Sequence, residues 1–202
     1  MNESSTGFLK QIKEATAAQH LAMEADPLLA QLLSPRLTRA QYVCYLSLFL
    51  RVSEAYEAKI LPVSISTLPG WTVSDPSKNI HRDLHTLGVM SPPEPVQQYR
   101  LPDPSDGPAF ALGFTYVMEG SKLGGKVLAR SVCKSLDLSD SAGVSYLSDY
   151  GQNSFPLWKQ FLDQFAEFII FSKGEQQAIE GANQAFASIA AFFAANSGLY
   201  EL

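Results

Sequence analysis

The segment from Phe114 to Arg130, F-T-Y-V-M-E-G-S-K-L-G-G-K-V-L-A-R, constrains the fold of this chain more than any other. Its apolar residues recur at steps of three and four without an intervening proline, which predicts a helix. Gly120, Gly124 and Gly125 interrupt that pattern, and each costs about 1 kcal/mol relative to alanine in a helix interior. Glycines let a helix bend and let another group lie directly against the main chain. The segment therefore predicts a glycine-kinked helix that lies against either a neighbouring helix or a flat ligand.

Residues 9–24 form a second informative segment, an amphipathic helix in which His20 and Glu24 are four residues apart. This spacing stacks the two side chains on one face. A carboxylate at that distance can accept a hydrogen bond from one imidazole nitrogen and leave the other free as a metal ligand. A histidine that is only structural fits the same pattern, so the segment alone leaves both interpretations open.

Together, the two segments resemble the heme oxygenase family, and in particular its bacterial biliverdin-producing branch. The family pattern L-K-x-A-T-x-x-x-H-x-x-x-E, which contains the proximal heme ligand, is represented by Ile12 to Thr16, His20 and Glu24. The bacterial distal-helix pattern Y-V-x-E-G-S-x-L-G-G is matched from Tyr116 to Gly125.

Two shorter motifs agree with this resemblance. Asp83-Leu84 followed by Leu87-Gly88 is similar to the family segment D-L-x-x-L-G. Tyr150-Gly151, followed by Trp158 and Phe161, is similar to its Y-G and W-x-x-F segments. The four matches occur in the family order and extend over roughly residues 8 to 195.

The resemblance implies heme b as both substrate and cofactor, with its iron ligated by His20. It implies cleavage of heme to biliverdin, carbon monoxide and free iron. The expected heme-binding residues are Lys13, Thr16, His20, Glu24, Tyr116, Gly120, Gly124 and Gly125, and the expected catalytic residues are Gly120, Ser121 and Gly124.

Two departures from the vertebrate members affect individual residues. Ser121 stands where those members have a distal aspartate, as it does in many bacterial members. The vertebrate propionate-binding arginine has no counterpart here, because the nearest positions are Leu162 and Asp163. The first candidate for a propionate contact is then Lys13. The further candidates are Lys10, Lys122, Lys126 and Arg130.

Length and composition predict one domain over residues 1–202, with residues 1–6 as a flexible N-terminus. The scarcity of strand signals predicts an all-α fold, and the resemblance implies a heme-oxygenase-like helical bundle that holds heme between the first helix and the glycine-kinked one. No apolar run approaches the ~20 residues of a membrane span, and no signal-peptide pattern begins the chain. Cys44 and Cys133 lack metal-type spacing. A net charge of −5 argues against nucleic-acid binding. We therefore expect a cytoplasmic protein with no membrane or nucleic-acid partner.

The expected elements are helical with irregular connections. Helices are predicted at about residues 7–25, 28–33, 38–60, 77 or 79 to 87, 108–136, 141–150 and 156–171, and a final helix is predicted with Ser172 and Glu175 as its cap. The helix over residues 38–60 is predicted to begin at a capping box formed by Thr38 and Gln41. Residues 62–73 and the proline-rich stretch 91–107 are predicted to be irregular.

Two other enzyme classes with related folds need residues that this sequence does not show. A non-heme di-iron site needs E-x-x-H pairs, and the chain has three histidines and no such pair. A thiaminase-like site needs an activated cysteine, and neither Cys44 nor Cys133 has an evident activating neighbour. His81 and His85 have metal-like spacing but lie outside the family pattern, and they are given no role.

A heme-binding protein for storage, transfer or sensing remains an alternative, because the ligand and the glycine helix suffice for binding. Turnover would require an external electron donor, a ferredoxin or a flavoprotein reductase, because the chain has neither a G-x-G-x-x-G motif nor an iron–sulfur cysteine set. Its biological use would be iron release or supply of a bilin to a phytochrome.

Overall fold

A computed structural model describes residues 3–71, 75–103, 107–138, 142–148 and 154–199. Within these ranges the regular secondary structure is entirely helical. In chain order the helices are α1 (Glu3–Glu24), α2 (Pro27–Ala30), a 3₁₀ turn (Gln31–Leu33), α3 (Arg39–Lys59), α4 (Leu61–Thr67), α5 (Pro76–Thr86), α6 (Pro108–Ser121), α7 (Gly125–Leu136), α8 (Ser154–Ser172), α9 (Glu175–Ala195) and a 3₁₀ turn (Ser197–Leu199). The predicted all-α class is confirmed.

Two helices illustrate how local sequence fixes the elements. In α1 the buried residues Phe8, Ile12 and Thr16 recur every four residues and form one stripe that faces the core. At the start of α3 the predicted capping box is present in both directions. The backbone N–H of Gln41 donates to the Thr38 hydroxyl at 3.2 Å, and the N–H of Thr38 donates to the Gln41 side chain at 2.9 Å.

The irregular connection predicted over residues 62–73 is wrong in its first half, which forms α4. Pro62 lies in the first turn of this helix, where its missing N–H would have had no intrahelical acceptor. The proline was therefore compatible with a helix start. Residues 72 and 73 lie outside the described residues.

The glycine-rich helix predicted over residues 108–136 is divided into α6 and α7. Residues 122–124 form a turn between them, in which the N–H of Leu123 donates to Gly120 and that of Gly125 donates to Lys122. Both are i→i−3 bonds of the 3₁₀ kind, which wind the backbone more tightly than an α-helix. The chain thus has two helices joined by a tight turn here, rather than one continuous helix.

Two further local predictions are wrong. The described part of the expected helix 141–150, residues 142–148, consists of turns. It is held by Asp83, which accepts backbone hydrogen bonds from Ser145 and Tyr146 at 2.7 and 2.8 Å. Ser172 does not cap α9, because it belongs to the last turn of α8 and donates to the carbonyl of Ile169.

The core is organised around the crossing of α6 and α9, where glycine removes side chains from both helices. A Cβ on Gly113 would overlap the carbonyl oxygen of Ala178, and a Cβ on Gly181 would overlap that of Phe110. Helices α8 and α9 each pack against both α1 and α6. Within the described residues, every helix is too short or too polar to cross a lipid bilayer.

Candidate functional site

The first group of predicted site residues lies on the exposed side of α1. The His20 and Glu24 side chains are 60% and 64% exposed, and Nδ1 of His20 lies 3.7 Å from Oε1 of Glu24. That distance is an ion-pair contact rather than a short hydrogen bond. Glu24 therefore neighbours one ring nitrogen, and Nε2 of His20 makes no hydrogen bond or ion pair within the described part of the chain.

The remaining residues of this group flank the histidine. The His20 ring makes an edge-to-face contact with Phe186 of α9, with ring centroids 6.1 Å apart. Thr16 is buried, and its hydroxyl donates to the carbonyl of Ile12 at 2.8 Å. Lys13 is exposed. Thr16 is thus a packing residue of the helix, while Lys13 and His20 face outward.

The second group lies at the junction of α6 and α7, where the three motif glycines have different surroundings. A Cβ on Gly125 would overlap the carbonyl oxygen of Leu147, so this glycine permits close backbone packing. A Cβ on Gly120 would meet only the edge of the Trp158 ring, at 3.4 Å. A Cβ on Gly124 would have only the Ser121 carbonyl oxygen nearby, at 3.8 Å. Helix packing therefore explains Gly125 but not Gly124.

An aromatic cluster lies beside Gly120. The Tyr116 ring contacts the rings of Trp158 and Phe165, with centroids 5.4 and 5.8 Å apart. Burial raises the pKa of Tyr116 above its ordinary value of 10.0, so its hydroxyl stays protonated at neutral pH. Tyr150 and Gly151, the first half of the same sequence motif as Trp158, lie outside the described residues.

Polar groups at this junction already have partners. The Ser121 hydroxyl donates to the Met118 carbonyl at 2.8 Å. Nζ of Lys122 lies 2.6 Å from Oε1 of Glu119, and both side chains are buried. Lys122 is therefore held by a carboxylate, which makes it a poorer candidate for a propionate contact than the sequence predicted.

Helices α8 and α9 connect the two groups. Phe165 of α8 illustrates this, because its ring contacts Phe8 of α1 as well as Tyr116 of α6. Among the described residues, no hydrogen bond, ion pair or ring contact joins His20 or Glu24 directly to the Tyr116–Gly125 segment. The helices that carry the two groups, α1 and α6, thus both pack against α8 and α9.

Other features of the molecule lie apart from these groups. A cavity of about 500 Å³ opens beside the N-terminal part of α1, the end of α4 and α8, and none of the predicted site residues lines it. His81 lies near Glu54, with Nε2 3.6 Å from Oε1. Over the described ranges, no cluster of three or more histidine, cysteine or acidic side chains could hold a bare metal ion.

Three residues beside the predicted site were not predicted as part of it. In the sequence, Trp158 belongs to a motif, Phe186 lies among apolar residues typical of a helix core, and Glu119 falls within the distal-helix pattern without a role of its own. Their contacts with Gly120, His20 and Lys122 depend on tertiary packing or on burial. Only the i, i+3 spacing of Glu119 and Lys122 was a sequence signal for a contact.

Comparison with solved structures shows the same fold in two bacterial proteins. The heme oxygenase of Leptospira interrogans matches with a TM-score of 0.71 and 15% identity, covering 96% of this chain and 99% of that chain. The heme oxygenase of Neisseria meningitidis, solved with NO and CO bound, matches with a TM-score of 0.73 and 22% identity, covering 96% of this chain and 92% of that chain. At these identities the similarity shows a shared fold.

Sequence comparison adds the family. A search of curated proteins gives no match. The family model described as heme oxygenase matches residues 94–195, which is half of the chain and includes the α6–α7 junction, α8 and α9. With this match and the shared fold together, the chain belongs to the heme oxygenase family.

Proposed function

We propose that this protein binds heme b between the exposed face of α1 and the α6–α7 junction, and that it degrades heme to biliverdin, carbon monoxide and iron. The observation that carries this proposal is the difference between the glycines. Gly113, Gly125 and Gly181 are packed tightly against backbone, whereas Gly124 is exposed and a Cβ on it would have only the Ser121 carbonyl oxygen nearby, at 3.8 Å. Close packing therefore leaves Gly124 unexplained, and a planar ligand against the main chain explains it.

His20 is the proposed iron ligand. Its Nδ1 faces Glu24 and its Nε2 makes no hydrogen bond or ion pair within the described residues, which suits a metal-ligating imidazole oriented by a carboxylate. An imidazole ligand also fits the chemistry, because a thiolate would favour cleavage of the O–O bond instead. Phe186 supports the ring from the side.

The α6–α7 junction is the proposed distal wall. Bound heme supplies both the iron that activates oxygen and the porphyrin that is oxidised. Gly120 and Gly124 leave room for heme and oxygen, and Gly125 brings the chain close to residues 142–148. The Ser121 hydroxyl is engaged as a donor, so its oxygen remains able to accept a hydrogen bond from water. The Tyr116 ring, packed on Trp158, forms the side of this wall.

The heme propionates need cations at the rim of the site. Lys13 is our first candidate because it is exposed on α1 and makes no ion pair with the described residues. Lys126 and Arg130 of α7 are likewise unpaired there. Lys10 lies 3.8 Å from Glu14, and Lys122 is held by Glu119, so both rank lower.

The reaction needs electrons from another protein, which we propose is a ferredoxin or a flavoprotein reductase. The chain carries no nucleotide-binding glycine motif, and its two cysteines cannot hold an iron–sulfur cluster. Both cysteines are free, as expected in the reducing cytoplasm, where we place the protein. The products would serve iron release or supply of a bilin to a phytochrome.

The direct test is to add heme, a reductant and oxygen to the purified protein in the presence of catalase. We expect the Soret band to decay and a broad red biliverdin band to appear. His20→Ala should abolish the histidine-type heme spectrum, and the matched control His81→Ala should retain it. A normal spectrum in His20→Ala would refute the ligand assignment.

The same experiment separates degradation from binding alone. A stable oxygen-bound heme complex under continued reduction would refute degradation and favour a storage, transfer or sensor protein of the same fold. Failure to bind heme would refute both functions.

A further inference from the structure

A buried ion pair lies at the end of α6. Nζ of Lys122 and Oε1 of Glu119 are 2.6 Å apart, and their side chains are only 7% and 3% exposed. Lysine and glutamate are rarely this buried in proteins, and a buried pair often gives no more stability than apolar residues of the same size. A surface pair on the same chain provides a contrast: Lys159 and Asp163 are also 2.6 Å apart but are 59% and 38% exposed.

The pair spans the point where helical hydrogen bonding changes. The backbone N–H of Lys122 donates to the carbonyl of Glu119 at 3.2 Å, and the N–H of Leu123 donates to Gly120 at 3.1 Å. The N–H of Gly125 donates to Lys122 at 3.2 Å. The two charged residues are thus joined by the first i→i−3 bond of the turn and also by their side chains.

This position connects the pair to the two glycines of the proposed distal wall. Gly120 lies between Glu119 and Lys122 in sequence, and Gly124 follows two residues after Lys122. Glycine resists distortion of the backbone less than any other residue, so a turn flanked by glycines needs another group to hold its conformation. The buried side-chain contact between Glu119 and Lys122, at the start of the turn, meets that need.

We propose that Glu119 and Lys122 are positioning residues that hold the 122–124 turn in its i→i−3 form and thereby set the distance of Gly120 and Gly124 from the heme. The effect of the pair on heme degradation rests on the proposed function, whereas its effect on the conformation of the turn does not depend on heme. The pair acts through the backbone and does not touch the reacting atoms.

The test compares a neutral pair with a matched surface control. The double variant Glu119→Gln/Lys122→Met removes both charges at nearly constant volume, so neither member of the pair remains as a buried charge without the other. Lys122→Arg keeps the cation and serves as the conservative rescue. Lys159→Met/Asp163→Asn removes the exposed pair of equal Nζ–O distance.

The first measurement is amide hydrogen exchange in the heme-free protein. We expect exchange at Leu123 and Gly125 to be about tenfold faster in the neutral variant, because their i→i−3 bonds open more often. Exchange in the rest of α6 should be unchanged, as should all amides of the junction in the surface control and in Lys122→Arg. Unaltered exchange at Leu123 and Gly125 in the neutral variant would overturn the proposal.

The second measurement uses the heme complexes of the same variants. We expect the heme complex of the neutral variant to keep the histidine-type spectrum unchanged. We expect it to form biliverdin about 10- to 100-fold more slowly, because a small displacement of the distal wall misplaces the reacting groups. Normal turnover despite faster exchange would show that the turn does not position the site. If the unaltered protein does not degrade heme, the proposed function fails, and the exchange measurement still decides whether the pair holds the turn.

Discussion

Gly113 of α6 lies directly against the backbone of Ala178 in α9, so closely that a Cβ on the glycine would overlap the alanine carbonyl oxygen. Gly181 makes the reciprocal approach to Phe110. The two helices therefore cross with backbone against backbone, and this crossing fixes the first half of α6, whose other end leads into the α6–α7 junction. Gly113 and Gly181, like Gly125, permit close backbone packing, whereas the proposed functional role belongs to Gly120 and Gly124.

Gly113→Ala should destabilise the protein strongly. The added methyl group would meet a carbonyl that cannot move without shifting α9, and overpacking of a core costs typically 1–3 kcal/mol or more. Urea unfolding followed by helical circular dichroism measures the loss. The control is Gly7→Ala in α1, which faces open space and should be slightly stabilising, by about 0.5–1 kcal/mol. Equal stability of the two variants would contradict the observed crossing.

Gly124→Leu should preserve the fold and block heme degradation. Gly124 has φ −77° and ψ −16°, a conformation open to any residue, and its Cβ would make only an ordinary van der Waals contact, 3.8 Å from the Ser121 carbonyl oxygen. The leucine would then occupy the proposed heme and oxygen site and reduce turnover about 100-fold or more. The control Gly7→Leu places the same side chain at an open helical glycine on α1 and should turn over normally. Normal turnover by Gly124→Leu would exclude this glycine from the site.

The helices with strong local signals could be predicted from sequence. The amphipathic helix α1 and the capping box of Thr38 and Gln41 depend on residues within a few turns, and both elements are present as predicted. The segment 142–148 could not be predicted, because its conformation depends on the buried carboxylate of Asp83, about 60 residues earlier in the chain. Hydrogen bonds between residues far apart in the chain leave no local pattern in the sequence.

For the candidate site, the sequence could predict only the types of residue involved and their spacing along the chain. The His20–Glu24 spacing predicted that the two side chains would be neighbours, and they are 3.7 Å apart. The glycine pattern predicted an unusual backbone but did not distinguish Gly125, which packs tightly on Leu147, from Gly124, which has room for a side chain. That distinction depends on what each glycine meets in three dimensions.

Asp83→Asn should destabilise the protein at neutral pH and more strongly at acidic pH. Asparagine offers one acceptor oxygen for the two backbone N–H groups that Asp83 binds, and an unsatisfied buried donor costs about 1–3 kcal/mol. Burial raises the pKa of the Asp83 carboxyl above its ordinary value of 3.8, although the hydrogen bonds from Tyr146 and Ser145 oppose this shift.

The sign of the pH dependence follows from that shift. A carboxyl whose folded-state pKa lies above the unfolded value contributes a stability that is complete below the unfolded pKa and is lost as the pH rises through the folded-state pKa. The asparagine side chain of the variant cannot ionise, so the stability difference between the two proteins should shrink from pH 4 to pH 7. Urea unfolding of both at each pH measures it. A difference that grows with pH would show that the backbone hydrogen bonds outweigh burial.

Glu24→Ala should weaken heme binding while leaving stability nearly unchanged. The Glu24 and His20 side chains are both mostly exposed, and such pairs on a helix surface contribute only about 0.3–0.5 kcal/mol to folding. For a ligating histidine the same carboxylate has a larger effect, because partners that orient a ligand typically change metal affinity 10- to 100-fold.

Lys10 and Glu14 form an exposed pair with the same i, i+4 spacing on the same helix, so Glu14→Ala is the matched control. Titration of heme into each variant, followed at the Soret band, should show about tenfold weaker binding for Glu24→Ala and unchanged binding for Glu14→Ala, while thermal unfolding of the heme-free proteins should not distinguish them. Equal heme affinity in the two variants would mean that Glu24 does not orient His20 and that the contact between them is a surface ion pair alone.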